Sequence, residues 1–358
     1  MTLPKPSAAS ARTISFAIPG DIDLPTGGYA YDRRVMASLP DYGVQADLVA
    51  LPGSFPFPSA ADLAETKRLL SAAPASNTLL IDGLALGAIP SDLIASLNRP
   101  VIALVHHPLC LESGITGSQA AHLKATETAA LALARHVIVT SFATKRILVA
   151  DFGVPMTKIT VAEPGTDPAM RASGTGTPMQ LLAVGAVSKR KGYEILVEAL
   201  KPLAPLDWRL TITGATDRDP SAVASLESAI AAAGFHDRIR LSGTVVPATL
   251  AKYFDTADLF VMASLFEGYG MVLAEAMARG LPIVCTTGGA ASDTVPDGAA
   301  LKVPPDNAGA LTAAIEKALS DKRLRRRMAD ASWEMGRTLP PWTETTRRVA
   351  AVIMGLSL

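Results

Sequence analysis

Short, almost fully apolar runs rich in β-branched residues alternate along the chain with longer stretches whose apolar residues recur at helical spacing. In the first half the runs are ISFAIP (14–19), VQADLVAL (44–51), TLLIDG (78–83), VIALVHH (101–107), HVIVTS (136–141) and KITVAEPG (158–165). Between most of them lie helix-like segments such as YAYDRRVMASL, SAADLAETKRLLSAA and SQAAHLKATETAALALA. A strand with one solvated face alternates with period two, whereas a strand covered on both faces reads as a continuous apolar run. Continuous runs separated by helices therefore predict a parallel sheet with helices on both faces.

The small, polar stretch ASGTGTP (172–178) interrupts this pattern and reads as a linker. Beyond it the alternation restarts, with MQLLAVGAV, WRLTITG, RIRLSG, ADLFVMAS and PIVCT as strands. The helices between them are GYEILVEAL, SAVASLESAIAAAG, PATLAKYF and GMVLAEAMARG. The last segment, PWTETTRRVAAVIMG, is an amphipathic helix opening with proline. The pattern predicts an α/β protein of two doubly wound domains, 1–171 and 179–340, joined by 172–178 and followed by a terminal helix, 341–358. Ligands of such sheets bind at the carboxyl ends of the strands, here expected in the cleft between the domains.

Composition narrows the function classes. A length of 358 residues suits two domains, and 49% hydrophobic residues allow each a full core. Lysine plus arginine equals aspartate plus glutamate, at 33 each, which argues against a general nucleic-acid binder. At 5%, aromatic residues are too few for a platform that stacks single strands. Cys110 and Cys285 form no C-x-x-C pair, as expected in a reducing compartment. The N-terminal apolar run ISFAI is too short for a signal-peptide core, and no later segment reaches the roughly 18 apolar residues of a spanning helix. A cytoplasmic protein with at most peripheral membrane contact is expected.

The chemistry concentrates in LFVMASLFEGYGMVLAEAMARGLPIV (259–284), an apolar stretch carrying Glu267 and Glu275. Glu267 falls in the loop at the carboxyl end of a buried strand. Gly268 and Gly270 let backbone approach a ligand, and the following helix offers free N–H groups to an anion. That helix is apolar on every side, hence buried, and a buried carboxylate must be paired or hydrogen-bonded. The plain explanation is that Glu275 pairs with Arg279 one turn later and that Glu267 caps the helix. It leaves unexplained why acid and glycines meet at a strand end.

The stretch SLFEGYGMVLAEAMARGLPIV resembles the signature of the retaining GT-B glycosyltransferases of family four (glycosyl transferases group 1), E-x7-E within E-G-[FY]-G…EAMA-x-G-x-P-[IV]. The resemblance implies two Rossmann-like domains facing a central cleft, the first for the acceptor, the second for a nucleotide sugar. It also implies that the C-terminal helix crosses back to the first domain. Glu267 would lie against the donor sugar and Glu275 would bind the ribose hydroxyls, with Gly268, Tyr269 and Gly270 around the donor. Both carboxylates would then be buried because ligand hydroxyls satisfy them.

Further segments are similar to the family. VGAVSKRKGYEILVEAL (184–200) resembles the strand–loop–helix whose arginine and lysine clamp the donor pyrophosphate. Lys191 matches the lysine. Ala186 stands where the arginine is usual, leaving Lys189 or Arg190 to supply a second cation. Gly243 and Val245 would lie near the base, and Gly165, Thr166 and Asp167 would close the first domain. Gly27 and Gly28 match the glycine-rich loop near the donor sugar and phosphate, and His106, rather than His107, the histidine that contacts the sugar. Ser292 departs from the glutamate that usually follows a Gly288-Gly289 pair, so that loop receives no role. The family's retaining members are proposed to react by front-face displacement, with a donor phosphate oxygen taking the acceptor's proton.

The implied co-substrate is a nucleotide-diphosphate sugar, UDP being the commonest nucleotide. No cofactor and no metal are expected, and the acceptor would be a small molecule or a glycan. Asp21-Ile22-Asp23 and Asp217-Arg218-Asp219 read as loop acids, and the five histidines lack metal-ligand spacing. No G-x-G-x-x-G follows a strand and no P-loop is present. The alternatives are a nucleotide-sugar epimerase or phosphorylase of the same architecture, or a non-catalytic nucleotide-sugar binding module.

Overall fold

Two all-parallel six-stranded sheets organise the computed structural model, which describes residues 12–355. Residues 1–11 and 356–358 lie outside the described residues, as do the expectations that fall on them. The first sheet contains β1 (Arg12–Pro19), β2 (Val44–Leu51), β3 (Thr78–Asp82), β4 (Val101–Val105), β5 (His136–Val139) and β6 (Ile159–Val161), in the order β2-β1-β3-β4-β5-β6. The second contains β7 (Met179–Val184), β8 (Trp208–Thr213), β9 (Ile239–Leu241), β10 (Leu259–Met262), β11 (Ile283–Thr286) and β12 (Ala300–Val303), in the order β12-β11-β10-β7-β8-β9. The chain divides into two units, one ending at Gly165 and resuming at Pro340, the other running from Thr166 to Leu339.

Continuous apolar strands lead to both-sided burial. In the second unit Leu181, Ala183, Leu210, Ile212 and Val261 pack into a core on one face. Their neighbours Leu182, Phe260, Met262, Ile283 and Cys285 pack into another on the opposite face. In the first unit every residue of β3 and β4 is buried. β12 is absent from the expected strands. It is a four-residue edge strand with half-buried Leu301 and Lys302 at its centre, and edges tolerate charge that an interior strand does not.

The expected C-terminal helix forms over Trp342–Gly355 and belongs to the first unit. Its Thr345 hydroxyl donates to the Glu163 carbonyl at 2.7 Å, Arg348 donates to the Val161 carbonyl at 3.1 Å, and Tyr42 donates to the Thr343 carbonyl at 2.8 Å. Trp342 sits against Tyr31, under the Arg34 guanidinium, and against Gly165, where a Cβ would fall 2.3 Å from the Trp342 nitrogen.

The segment expected to be a linker behaves differently. Asp255 accepts from Ser173, and Asp258 accepts from Thr175, Gly176 and Gln180, so 172–178 is fastened to the second unit. Its small polar residues let backbone approach these two carboxylates. Among the described residues, no helix is long and apolar enough to cross a membrane.

Candidate functional site

In each sheet the order reverses at one place, where loops leave adjacent strand ends in opposite directions and open a crevice. In the second sheet this falls between β7 and β10. The loop after β7 carries Lys191 and the loop after β10 carries Glu267. Leu265 N–H donates to the Arg190 carbonyl at 2.8 Å, tying the loops together, and Gly192 packs so closely that a Cβ would meet the Ala263 oxygen at 2.2 Å. Lys191 Nζ then lies 2.7 Å from Glu267 Oε1, and Arg190 Nη1 lies 3.4 Å from Oε2. Burial would raise the Glu267 pKa, but Lys191 and Arg190 outweigh it and hold the carboxyl down at about 2. Arg190 also donates to the Phe266 carbonyl at 2.9 Å. The second cation beside Lys191 is therefore Arg190, whereas Lys189 is exposed.

The expectation that ligand hydroxyls satisfy both buried carboxylates is corrected for Glu267, which has cationic partners of its own. Glu275 differs. It lies half-buried on the helix Met271–Ala278, and among the described residues no hydrogen bond or ion pair reaches its carboxylate. Arg279 does not pair with it through the carboxylate. Its guanidinium lies over the Phe254 ring, 4.4 Å from the centroid, and donates to the Glu275 backbone carbonyl at 2.9 Å. Burial raises the Glu275 pKa against the opposing pull of Arg279, and Asp167 adds to the rise.

Backbone geometry explains the glycines around this corner. Gly270 precedes the helix at φ 89°, in the left-handed region, and the helix's first N–H groups have no intrahelical partner. Gly268 and Tyr269 lie between it and Glu267, and the Tyr269 carbonyl accepts from Thr294 at 2.6 Å. The loop of Gly288 and Gly289, left without a role from sequence, packs directly on Glu267. A Cβ at Gly288 would sit 2.2 Å from the Leu265 oxygen, and one at Gly289 would sit 2.2 Å from the Glu267 oxygen. Gly243 is drawn to the same strand ends, its carbonyl accepting from Gly214 N–H at 3.0 Å. Val245 lies two residues on and half-buried.

The first sheet reverses between β1 and β3. Thr26 caps the helix Gly27–Ser38 that follows β1, accepting from Tyr29 N–H at 3.2 Å. That helix brings Asp32, β3 ends in Asp82, and His106 follows β4. His106 Nε2 lies 3.3 Å from Asp32 Oδ1 and 3.5 Å from Asp82 Oδ2. A Cβ on Gly28 would be 3.3 Å from the imidazole, so glycine there lets the ring sit against the helix. Burial works against charge on His106, but Asp32 and Asp82 push its pKa up to about 10. His107 instead meets Glu112 at 3.0 Å within its own loop.

Sequence spacing missed Asp32 and Asp82. Asp82 could have been noticed by the sign that marked Glu267, an acid at the end of a buried strand. The ligand atoms of Asp32, Asp82 and His106 lie within 4.8 Å of one another, the one such grouping among the described residues. The two D-x-D pairs act locally: Asp21 accepts from Asp23 N–H, and Asp219 caps the helix Pro220–Ala232 through Ala222 N–H.

Residues 168–335 match the family model described as Glycosyl transferases group 1, and residues 34–170 match that of Glycosyltransferase Family 4. Mannosylfructose-phosphate synthase of Agrobacterium fabrum is 26% identical over 241 residues, covering 62% of this chain and 53% of that protein. D-inositol 3-phosphate glycosyltransferase of an Arthrobacter species is 35% identical over 170 residues, covering 42% and 39%. The chain thus spans about half, or less, of the length of these relatives. Sucrose-phosphate synthase from Thermosynechococcus elongatus superposes with a TM-score of 0.82 at 20% identity, covering 96% of this chain and 99% of that one. Anabaena HepE in complex with UDP and glucose gives 0.77 at 17%, covering 96% and 100%. These likenesses establish the GT-B fold.

Proposed function

We propose that the chain, whose residues 168–335 match the Glycosyl transferases group 1 model and 34–170 the Glycosyltransferase Family 4 model, is a glycosyltransferase that moves a hexose from a nucleotide-diphosphate sugar, with UDP as the nucleotide, to a small-molecule or glycan acceptor, with retention and without a metal. The observation that carries the reading is the contrast at the β7–β10 crevice. Lys191 and Arg190 hold Glu267 there, while among the described residues no hydrogen bond or ion pair reaches the carboxylate of Glu275, eight residues on. A ribose offers two hydroxyl donors to such a carboxylate, and the Lys191 ammonium can meet a diphosphate oxygen. HepE, which shares the fold and was solved with UDP and glucose, supports the choice of nucleotide.

In this reading the bond between the anomeric carbon and the diphosphate oxygen breaks, and its electron pair leaves on the diphosphate. The acceptor oxygen bonds to the anomeric carbon from the same face, and its proton passes to a donor phosphate oxygen. Lys191, Arg190 and the helix N-terminus at Gly270 stabilise the departing charge. Glu267 keeps both cations fixed and supplies an acceptor for sugar hydroxyls beside them.

Calorimetric titration of UDP, GDP, ADP, CDP and dTDP, with EDTA present, tests the reading. The wild type should bind UDP, and Glu275→Ala should lose most of that affinity. If none of the five binds, the donor site is not where Glu275 places it. Ala186, standing where the family has arginine, favours one second reading, a binder without turnover. Release of UDP from a UDP-hexose by the wild type would exclude it.

A further inference from the structure

We propose that Asp32 and Asp82 are positioning residues that lock His106 as an imidazolium with Nε2 turned into the protein, so that the histidine serves as a fixed cation and hydrogen-bond donor, never as a base. The proposal rests on the glycosyltransferase reading only in giving His106 a sugar to meet. The locked state itself is a property of the fold.

The geometry carries it. Three elements that diverge elsewhere deliver two carboxylates and one imidazole to the reversal point of the first sheet. Asp32 is fully buried, and neither of its oxygens has a hydrogen-bond partner of good geometry, so the imidazole 3.3 Å away is its available source of positive charge. Asp82 is anchored differently: Oδ1 accepts from Leu84 N–H at 2.6 Å, which leaves Oδ2 to face His106. A neutral imidazole either points a bare Nε2 lone pair at the two carboxylates or offers them an Nε2–H without charge. An imidazolium offers the same single Nε2–H and adds the positive charge that two buried carboxylates otherwise lack.

The residue is anchored through its backbone and its ring is flanked on two sides. Its backbone carbonyl accepts from the hydroxyls of Thr140 at 3.2 Å and Thr144 at 3.4 Å. Tyr31 stands edge-on at 5.4 Å, and Gly28 closes the helix side. Besides Tyr31, whose own ionisation burial pushes far up, the titratable groups facing the ring are the two aspartates. Two carboxylates against one imidazolium still leave a negative surplus in a buried place. Accordingly burial, opposed by His106 and reinforced by Asp82, raises the Asp32 pKa to about 7, while Asp82 stays below the usual range because His106 and the Leu84 N–H outweigh its burial. Burial thus draws Asp32 toward its protonated form, while the two carboxylates draw His106 toward its charged one. About a fifth of the His106 side chain is exposed, enough to touch a ligand.

Nitrogen-15 spectra of the histidine rings across pH 5.5–8.5 test this on the intact protein, with His106→Gln assigning the signal. The expected result is one histidine with both ring nitrogens protonated over the whole range. In Asp32→Asn the same histidine should titrate with a pKa lower by about 1–3 units. Asp82→Asn, which can keep its bond from Leu84, should produce a smaller fall. A wild-type His106 that titrates near 6.5 overturns the proposal without any variant. So does a gain in melting temperature when Zn²⁺ or Mn²⁺ is added after EDTA treatment, if Asp32→Asn abolishes it, since the cluster would then be a metal site. The kcat/KM profile for UDP release separates the two layers. A charged His106 whose replacement by Gln leaves that rate unchanged upholds the lock and sinks the sugar contact.

Discussion

The two sheets reverse at equivalent places and put opposite charge balances there. At the β7–β10 crevice two cations, Lys191 and Arg190, surround one carboxylate, Glu267. At the β1–β3 crevice two carboxylates, Asp32 and Asp82, surround one imidazole. Burial penalises the charged form of all these groups, yet its outcome differs because the neighbours differ. Glu267 is held at about 2, whereas Asp32 rises to about 7. The same topology thus builds one place where cations surround a carboxylate and one where carboxylates surround an imidazole. Topology supplies the crevice, and the local ratio of cations to carboxylates decides what it can do.

The largest expected break in this comparison is Lys191→Ala. It removes the closest partner of Glu267 and should lower the rate of UDP release from a UDP-hexose by about 10²–10³-fold, with little change in the His106 spectrum. Next in size is deletion of the residues after Pro341. It strips buried Trp342, Val349 and Ile353 from the first unit, worth several kcal/mol at about 1.5–3 kcal/mol per fully buried side chain. Calorimetric melting should show the loss in the first unit and leave the second unchanged. An unaltered melting profile would contradict the packing of that helix.

Opposite pH dependences sharpen the contrast. His106 gains protons on folding, so its contribution is complete below about 6.5 and is lost as pH rises towards about 10. Asp32 acts in the same direction between about 3.8 and 7. Glu267 gives up its proton more readily when folded, so its contribution is present above about 4.5 and is lost as pH falls towards 2. One such group changes stability by at most about 1.4 kcal/mol per pH unit. Melting curves should show His106→Gln flattening the alkaline fall while leaving the acid one intact. The smallest effect is expected from Gly28→Ala. Its Cβ would crowd the His106 ring at 3.3 Å while alanine favours the helix. The net stability change should stay within about 1 kcal/mol, and the His106 ring signals should shift.

Much of the architecture could be read from the sequence because both faces of these sheets are covered, which makes each interior strand a continuous apolar run. Where that condition fails, the reading fails too. β12 sits at an edge and carries Lys302, so it does not look like the others. ASGTGTP looks like a tether because small polar residues suit loops, but Asp255 and Asp258 lie more than eighty residues downstream of Ser173 and Thr175, and they turn the segment into a fastened strap. The candidate donor corner was visible through local spacing, since Glu267, Gly268, Gly270 and Glu275 share one strand–turn–helix. Its pairing was not, because Lys191 comes from another loop and answers Glu267 before any ligand does. Asp32 and Asp82 were hidden for the same reason. Their meaning depends on His106, which only the sheet order brings beside them.

The most direct test of the central claim is the affinity gained on passing from uridine to UDP, measured calorimetrically for the wild type, Lys191→Ala and Asp32→Asn. A diphosphate held by Lys191 at the β7–β10 crevice predicts that this gain collapses in Lys191→Ala and survives in Asp32→Asn. An equal gain in all three proteins, or its loss in Asp32→Asn alone, would contradict the assignment of the diphosphate to that crevice.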